Sequence, residues 1–168
     1  MLRRELQVPA LILALGLATL LGAWGFEIIG GYVPCALCLK ERIPYYVGLP
    51  LALAALAAAA YGAPQSVSRI ALAVVALVFI YGAYLGIYHA GAEWGWWPGP
   101  SDCGAGGAGP ATSTGGLLEQ LEGIHIVSCT EASWRFPAGW GLSFAGWNAA
   151  VSLVLAAAAS LGAARKPA

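Results

Sequence analysis

Four long apolar segments restrict the fold of this chain more than any other feature of its sequence. They cover residues 8–29, 43–60, 70–88 and 142–161, and Glu27 is the only acidic or basic residue within them. Each has close to the roughly 20 residues that a helix needs to cross the hydrocarbon core of a membrane. Charged residues make up only 10% of the 168 residues, whereas a soluble domain has about a quarter. Because a helix satisfies its own backbone hydrogen bonds in lipid, the sequence predicts an all-α membrane protein, a single domain built as a bundle of four transmembrane helices.

The basic residues predict how this bundle is oriented. Four spans place both termini on the same side, together with the loop at residues 61–69. That side carries five of the eight basic residues and the other side three: Arg3, Arg4, Arg69, Arg165 and Lys166 against Lys40, Arg42 and Arg135. Because the side with more Lys and Arg is usually cytoplasmic, we expect cytoplasmic termini, with the loops at residues 30–42 and 89–141 outside. In a bacterial inner membrane these outer loops face the periplasm, which is an oxidising compartment.

The long outer loop contains two segments with different properties. Residues 104–116 are rich in glycine and alanine, which is typical of a flexible linker. Residues 117–127 place apolar side chains at positions 117, 118, 121 and 124 and acids at 119 and 122, and this spacing predicts a short interfacial helix on the membrane surface. Cys103 precedes the linker and Cys129 follows the helix, so the loop between these two cysteines is able to change shape.

All four cysteines lie in the outer loops, Cys35 and Cys38 in the first and Cys103 and Cys129 in the second. Residues three apart on a helix are neighbours, so Cys35 and Cys38 can approach each other. A disulfide between them would enclose a very short loop and would restrict the unfolded chain little. A structural role therefore explains this C-x-x-C pair poorly, and a redox role explains it better.

The surroundings of the pair also favour reactive sulfur. Arg42 lies four residues beyond Cys38, on the same face of the predicted helix, and a guanidinium group there favours the thiolate, which is the reactive form of cysteine. Pro34 suits the first position of the helix and would place Cys35 in its first turn, where the helix dipole also favours an anion.

Interpretations without catalysis stay open at this point. Arg42 can form a structural ion pair with Glu27 or Glu41, and Pro44 can interrupt the cysteine helix before the membrane span. The four cysteines can form two structural disulfides in a non-enzymatic membrane scaffold. A zinc site of four thiolates fits less well, because such sites commonly repeat the C-x-x-C spacing and the second pair is widely separated. The net charge of zero, with no basic patch, gives no support to nucleic-acid binding.

Three longer motifs resemble a known family. They are "GGYVPCALCLKERIPYY" at residues 30–46, "YHAGAEWGWWPGPSDC" at residues 88–103 and "CTEASWRFPAGWGLSFAGWN" at residues 129–148. Their content and order resemble the DsbB family, the disulfide bond formation protein B of bacterial inner membranes. The resemblance runs from about residue 22 to residue 161, which is nearly the full length.

This resemblance implies a membrane thiol:quinone oxidoreductase. A reduced periplasmic DsbA-like protein would attack the Cys103–Cys129 disulfide and form a mixed disulfide with Cys103. Cys129 would then attack the Cys35–Cys38 disulfide at Cys35. Cys38, released as a thiolate, would pass both electrons to a bound quinone from the membrane pool, either ubiquinone or menaquinone. No metal is implied.

The resemblance also suggests cofactor-binding residues. Arg42 matches the family's arginine beside the quinone, and His89 matches a histidine near the same site. His89 is four residues before Glu93, so a hydrogen bond between the two along a helix is the alternative. Thr130 departs from the family pattern, because relatives often carry an acidic residue directly after the last cysteine.

A second enzyme family offers an alternative. The vitamin K epoxide reductase type also has four helices and passes electrons between thiols and a quinone. In that family the quinone-side C-x-x-C follows the loop pair of cysteines, whereas here it comes first. The order of the cysteines therefore favours the DsbB type.

Overall fold

The computed structural model describes residues 2–100, 125–138 and 140–165. Within these residues it contains four long helices: α1 (Leu2–Ile28), α2 (Ala36–Ala60), α3 (Gln65–Glu93) and α4 (Phe144–Ala164). All four are long and apolar enough to cross a membrane. The prediction of an all-α membrane protein with four transmembrane helices is confirmed.

The helices pack around a shared core of apolar side chains. Helix α3 is one of the four walls of this core. It contacts α2 on one side and α4 on the other, and α1 packs against α2 and α4. Phe79 and Val75 of α3, Ile12 of α1 and Leu155 of α4 are fully or almost fully buried. Gly86 lets α3 and α4 approach closely, since a Cβ atom at this position would lie only 2.7 Å from the backbone nitrogen of Ala149. Close contact through small residues is typical of helix packing in membranes.

Helix α2 differs from its prediction at its N-terminal end. It begins at Ala36 rather than at residue 43 and continues through Pro44 and Pro50, so Pro44 does not interrupt it. Membrane helices tolerate proline because neighbouring groups compensate for the lost backbone hydrogen bond. Cys35 is the N-cap residue, and Pro34 therefore lies outside the helix rather than at its first position. The two cysteines and the membrane span thus belong to one continuous helix.

Two short strand pairs are present in the described part of the outer segments. β1 (Tyr32–Val33) pairs in parallel with β2 (His125–Ile126), and β3 (Arg135–Phe136) pairs antiparallel with β4 (Leu142–Ser143). Residues 125 and 126, predicted as the end of the interfacial helix, are in β2 because their backbone pairs with β1; residues 117–124 lie outside the described residues. The β1–β2 pair continues with a hydrogen bond from Val127 N–H to the carbonyl of Val33 (3.1 Å). It holds the segment that leads to Cys129 beside the start of α2.

Candidate active site

The first turn of α2 brings Cys35 and Cys38 together. Both are free thiols, and their sulfur atoms are 2.9 Å apart, well beyond the length of about 2.05 Å of a disulfide bond. The backbone N–H of Cys38 donates a hydrogen bond to the Cys35 sulfur (3.2 Å), as expected for an N-cap side chain. The predicted closeness of the pair is therefore present, in the reduced state.

The environment of Cys35 favours its thiolate. The Cys38 thiol donates a hydrogen bond to the Cys35 sulfur and is the main cause that lowers the pKa of Cys35 to about 4, against the opposing effect of burial. Hydrogen bonds from His89 and from the backbone of Cys38 act in the same direction. Arg42, which the sequence suggested as the activating group, is not one of these causes. The thiolate is stabilised by the helix N-terminus, the neighbouring thiol and a histidine.

Cys129 lies against this thiolate. Its side chain is fully buried, packs with Cys35 and Leu37, and is disulfide-bonded. The sulfur atoms of Cys129 and Cys35 and Nε2 of His89 all lie within 4.8 Å of one another. Cys103, the predicted partner of Cys129, lies outside the described residues. One cysteine of the long loop is thus in direct range of the C-x-x-C pair.

His89 is buried at the outer end of α3 and has carboxylates on two sides. Its Nδ1 is 2.8 Å from Oε1 of Glu41, and its Nε2 is 3.9 Å from the Cys35 sulfur and 4.0 Å from Oε1 of Glu93. The side chains of Glu41 and Glu93 are also buried, and Ser143 donates a hydrogen bond to Glu93. The helical hydrogen bond that the sequence suggested between His89 and Glu93 is therefore not formed, because 4.0 Å is beyond hydrogen-bond distance. The shorter contact, to Glu41, was not expected.

Arg42 pairs with Glu27, one of the two partners considered from the sequence. Nη1 of Arg42 is 2.5 Å from Oε2 of Glu27, and the Arg42 side chain is 13% exposed. This ion pair joins α2 to α1 near their outer ends. It places the guanidinium group on the side of α2 that faces α1 rather than beside His89.

An apolar cavity of about 310 Å³ lies between the outer ends of α1, α2 and α4. Aromatic side chains form much of its wall, among them Phe26, Tyr32, Trp134, Phe136, Phe144 and Trp147. Cys38, Arg42 and Glu27 also line it, whereas His89 is not among the described residues of the wall. The structure brings Arg42 and Cys38 to one cavity and His89 to Cys35; direct contact of His89 with a cofactor stays a prediction.

Sequence reasoning missed two polar residues of the cavity wall, Tyr45 and Asn148. The Tyr45 hydroxyl donates a hydrogen bond to Oδ1 of Asn148 (2.8 Å), and both residues line the cavity. The Nδ2 atom of Asn148 is buried and has no hydrogen-bond partner among the described residues. In the sequence Tyr45 is only one of two adjacent tyrosines near the start of an apolar segment, and Asn148 gave no signal beyond being a polar residue in an apolar span.

A family model described as disulfide bond formation protein DsbB matches residues 5–162 of the chain. The chain belongs to the DsbB family. Comparison with curated proteins gave no match, and comparison with solved structures gave none. The match confirms the resemblance of the three motifs. Together with the four membrane-spanning helices, it identifies a multi-pass membrane protein of disulfide bond formation, with the disulfide oxidoreductase activity that DsbB membership implies.

The geometry of this DsbB-family site suits thiol–disulfide exchange. Exchange requires a thiolate that can reach a sulfur atom of a disulfide. Here Cys35, with its lowered pKa, lies within 4.8 Å of the disulfide-bonded Cys129. Because the reaction is reversible, the same pair of sulfur atoms serves whichever cysteine attacks.

Proposed function

We propose that this DsbB-family protein is a membrane thiol:quinone oxidoreductase that reoxidises a DsbA-like dithiol protein. The overall reaction converts a partner dithiol and a quinone into a partner disulfide and a quinol. Electrons would pass from the partner to the Cys103–Cys129 pair, then to the Cys35–Cys38 pair, and then to the quinone. We place the protein in a bacterial inner membrane, with cytoplasmic termini and periplasmic cysteines.

The observation that carries this proposal is the division of the C-x-x-C pair between two environments. Cys38 lines the apolar cavity together with Arg42, whereas Cys35 lies beside Cys129. A protein that transfers electrons from a water-soluble partner to a lipid-soluble acceptor needs one sulfur on each side. A scaffold with two passive disulfides has no use for this arrangement.

The residues of the cavity fit a quinone. Ligand sites of this size are usually apolar with a few polar groups that fix the orientation of the ligand. Phe26, Trp134 and Phe144 would contact the ring, while Arg42 and the buried Nδ2 of Asn148 offer donors for carbonyl oxygens. A bound quinone would supply a two-electron oxidant beside Cys38.

The protein's own steps follow from the sulfur positions. After the partner opens the Cys103–Cys129 disulfide at Cys103, the Cys129 thiolate attacks Cys35, and the Cys35–Cys38 bond breaks with Cys38 released as the thiolate. The partner's second thiolate then attacks the mixed disulfide and breaks its bond to Cys103, so the partner leaves with a new disulfide. The freed Cys103 thiolate attacks Cys129 and releases Cys35. The result is a reduced Cys35–Cys38 pair and an oxidised loop pair.

The test is a quinone-reduction assay on the purified protein. The protein in detergent is mixed with a ubiquinone or menaquinone analogue and a reduced thioredoxin-like dithiol protein, and quinone absorbance is followed. We expect the unaltered protein to consume quinone and Cys38→Ser to consume none. Lys40→Ala is the control, because Lys40 is exposed and lies on the same turn of α2 as Cys38, and this variant should consume quinone like the unaltered protein. The proposal fails if the unaltered protein consumes no quinone, or if Cys38→Ser consumes it equally well.

A further inference from the structure

A buried chain of three groups joins α2 to α3 beside the cysteine pair, and its first group, Glu41, also lines the cavity. It runs from Glu41 through His89 to Cys35, with contacts of 2.8 Å and 3.9 Å. The exposed fraction of the side chain is 1% for His89 and 8% for Glu41. Burying a carboxylate and an imidazole is costly unless each has a partner. The proposed electron transfer uses only the cysteine sulfur atoms and the quinone, so it does not explain why Glu41 and His89 are buried here.

The contact with Glu41 determines which nitrogen of His89 faces the sulfur. A carboxylate accepts hydrogen bonds, so Nδ1–H of His89 donates to Glu41, and Nε2 is left toward Cys35. A carboxylate at one ring nitrogen fixes the orientation and tautomer of the imidazole. A nucleophile, a base and a third group that orients the base form the arrangement by which enzymes activate cysteine and serine.

We propose that His89 is the acid–base group of Cys35, with Nε2 holding the proton that the Cys35 sulfur exchanges, and that Glu41 is the residue that positions it. This inference rests on the proposed function for the sequence of exchanges, and it gives His89 a role at the sulfur atom rather than at the quinone. His89 is then a catalytic residue, because it contacts a reacting atom, and Glu41 acts through His89.

The step is the release of Cys35 from its bond with Cys129. The Cys103 thiolate attacks Cys129, the Cys103–Cys129 bond forms, and the Cys35–Cys129 bond breaks with its electron pair left on the Cys35 sulfur. One thiolate enters and one leaves, so no further oxidant or reductant is needed. The proton on Nε2 faces the new Cys35 thiolate and makes it a better leaving group. In the reverse direction Nε2 takes the proton of the Cys35 thiol and prepares the sulfur for attack on Cys129.

Other charged groups around His89 set the pH range of this step. The described groups that face its ring are Cys35, Glu41 and Glu93, and Glu93 in turn lies under the influence of Arg135. Each of these groups can gain or lose a proton, and a change of charge on any of them alters how readily Nε2 gives or takes the proton of Cys35. A variant that removes either carboxylate will therefore also change the pH dependence of the exchange.

The experiment measures exchange without quinone and without a protein partner. Quinone-free protein is mixed with a small dithiol, quenched by acid at set times, and analysed by mass spectrometry for the Cys35–Cys129 bond as it forms and disappears. General acid–base catalysis contributes about 10²–10⁴-fold, so we expect His89→Gln to slow the disappearance at least tenfold. Glu41→Gln should slow it less and shift its pH profile, and Glu41→Asp should restore part of the rate.

The outcomes separate this inference from the proposed function. An exchange rate that is unchanged in a folded His89→Gln protein overturns the inference, as does a defect confined to quinone retention. If the unaltered protein reduces no quinone but its exchange still depends on His89, the proposed function fails and the inference stands. Folding of each variant is checked by circular dichroism and by elution as a single species in detergent.

A measurement on the unaltered chain does not depend on any variant folding. ¹⁵N NMR of the histidine rings reads the protonation of each nitrogen, and the chain has only two histidines to assign. We expect Nε2 of His89 to carry a proton while Cys35 is a thiolate and to lose it when Cys35 is in a disulfide with Cys38. A protonation state of Nε2 that does not respond to the redox state of Cys35 would overturn the inference.

Discussion

The sulfur atoms of Cys35 and Cys129 lie within 4.8 Å of each other, although one belongs to the start of α2 and the other to the long outer loop. The parallel pairing of β1 with β2 explains this closeness, because it holds residues 125 and 126 beside residues 32 and 33. The two cysteines follow these strands after short connections. The sulfur atoms that react in the exchange between the two cysteine pairs are therefore already close together when Cys35 and Cys38 are reduced.

This closeness predicts selective cross-linking. In a protein with Cys38→Ser and Cys103→Ser, only Cys35 and Cys129 remain, and we expect diamide to join them rapidly and almost completely. The matched control carries Cys35→Ser and Cys103→Ser, which leaves Cys38 and Cys129, and it should cross-link much more slowly because Cys38 faces the cavity. Mass spectrometry of unreduced proteolytic fragments gives both yields. Equal rates in the two proteins would contradict the arrangement.

The four membrane spans were predictable because lipid imposes a simple rule on the sequence. A run of about 20 apolar residues has few stable alternatives to a membrane helix. The start of α2 was placed too late, at residue 43, because the charged residues Lys40, Glu41 and Arg42 end the apolar run while the helix itself extends back to Ala36. Hydrophobicity locates the part of a helix that lies in lipid, not the helix itself.

The sequence indicated the cysteines, Arg42 and His89 as candidate site residues, but not the contacts that His89 makes. The C-x-x-C spacing is local, so its geometry follows from a single helical turn. The contact between Glu41 and His89 joins two helices, so it depends on how those helices pack. From the sequence alone, Glu41 is expected to pair with the neighbouring Arg42 instead. Strands of two residues, such as β1 and β2, are too short to leave a pattern. These features depend on tertiary packing, which one sequence does not display.

Arg42 should act in quinone use and not in thiol exchange. It lines the cavity with Cys38, and hydrogen bonds to charged groups contribute about 1.5–3 kcal/mol. We therefore expect Arg42→Ala to raise the KM for quinone at least about tenfold, while the rate at which a reduced partner opens the loop disulfide stays nearly unchanged. Steady-state quinone reduction and single-turnover partner oxidation measure the two steps separately.

Glu27→Gln is the control for the Arg42 ion pair. It removes the partner of the guanidinium group and keeps the group itself. Because the Glu27 side chain is 36% exposed and ion pairs at exposed positions contribute about 0–1 kcal/mol, its thermal stability should change little. Equal loss of both activities in Arg42→Ala, accompanied by a lower unfolding temperature, would indicate a structural role for the arginine instead.

The contact between α3 and α4 should depend on the absence of a side chain at Gly86. A Cβ atom there would lie 2.7 Å from the backbone nitrogen and 2.9 Å from Cα of Ala149, and a backbone cannot move aside as a flexible side chain can. We expect Gly86→Ala to lower the free energy of unfolding by about 1–3 kcal/mol, the usual cost of overpacking. Thermal unfolding in detergent, followed by circular dichroism, measures the change.

Gly25→Ala is the matched control for this substitution, because a Cβ atom at Gly25 meets no atom within 4 Å. Alanine is favoured over glycine inside a helix by up to about 1 kcal/mol, so this variant should be unchanged or slightly more stable. If Gly86→Ala is as stable as Gly25→Ala, then α3 and α4 do not approach each other as closely at Gly86 as the structure indicates.

The lowered pKa of Cys35 predicts how the reduced protein responds to pH. With a pKa of about 4, Cys35 is a thiolate in the folded protein at neutral pH, whereas an unfolded cysteine has a pKa of about 8.5. Between these values the unfolded chain binds more protons, so the free energy of unfolding rises with pH. This stabilisation is complete above the unfolded pKa and is lost as the pH falls through about 4. Ultraviolet absorbance of the thiolate follows the titration directly.

Two substitutions at Cys38 test the cause of this shift. The hydrogen bond that the Cys38 thiol donates is the largest contribution to the lowered pKa of Cys35. Cys38→Ser keeps a hydroxyl donor at this position, whereas Cys38→Ala removes it. We therefore expect the Cys35 thiolate to form at a higher pH in Cys38→Ala than in Cys38→Ser. In the unaltered reduced protein it should form at the lowest pH of the three or at a pH close to that of Cys38→Ser. If both variants titrate like the unaltered protein, the thiolate is held by the helix N-terminus and His89 alone, and the Cys38 thiol has no part in it.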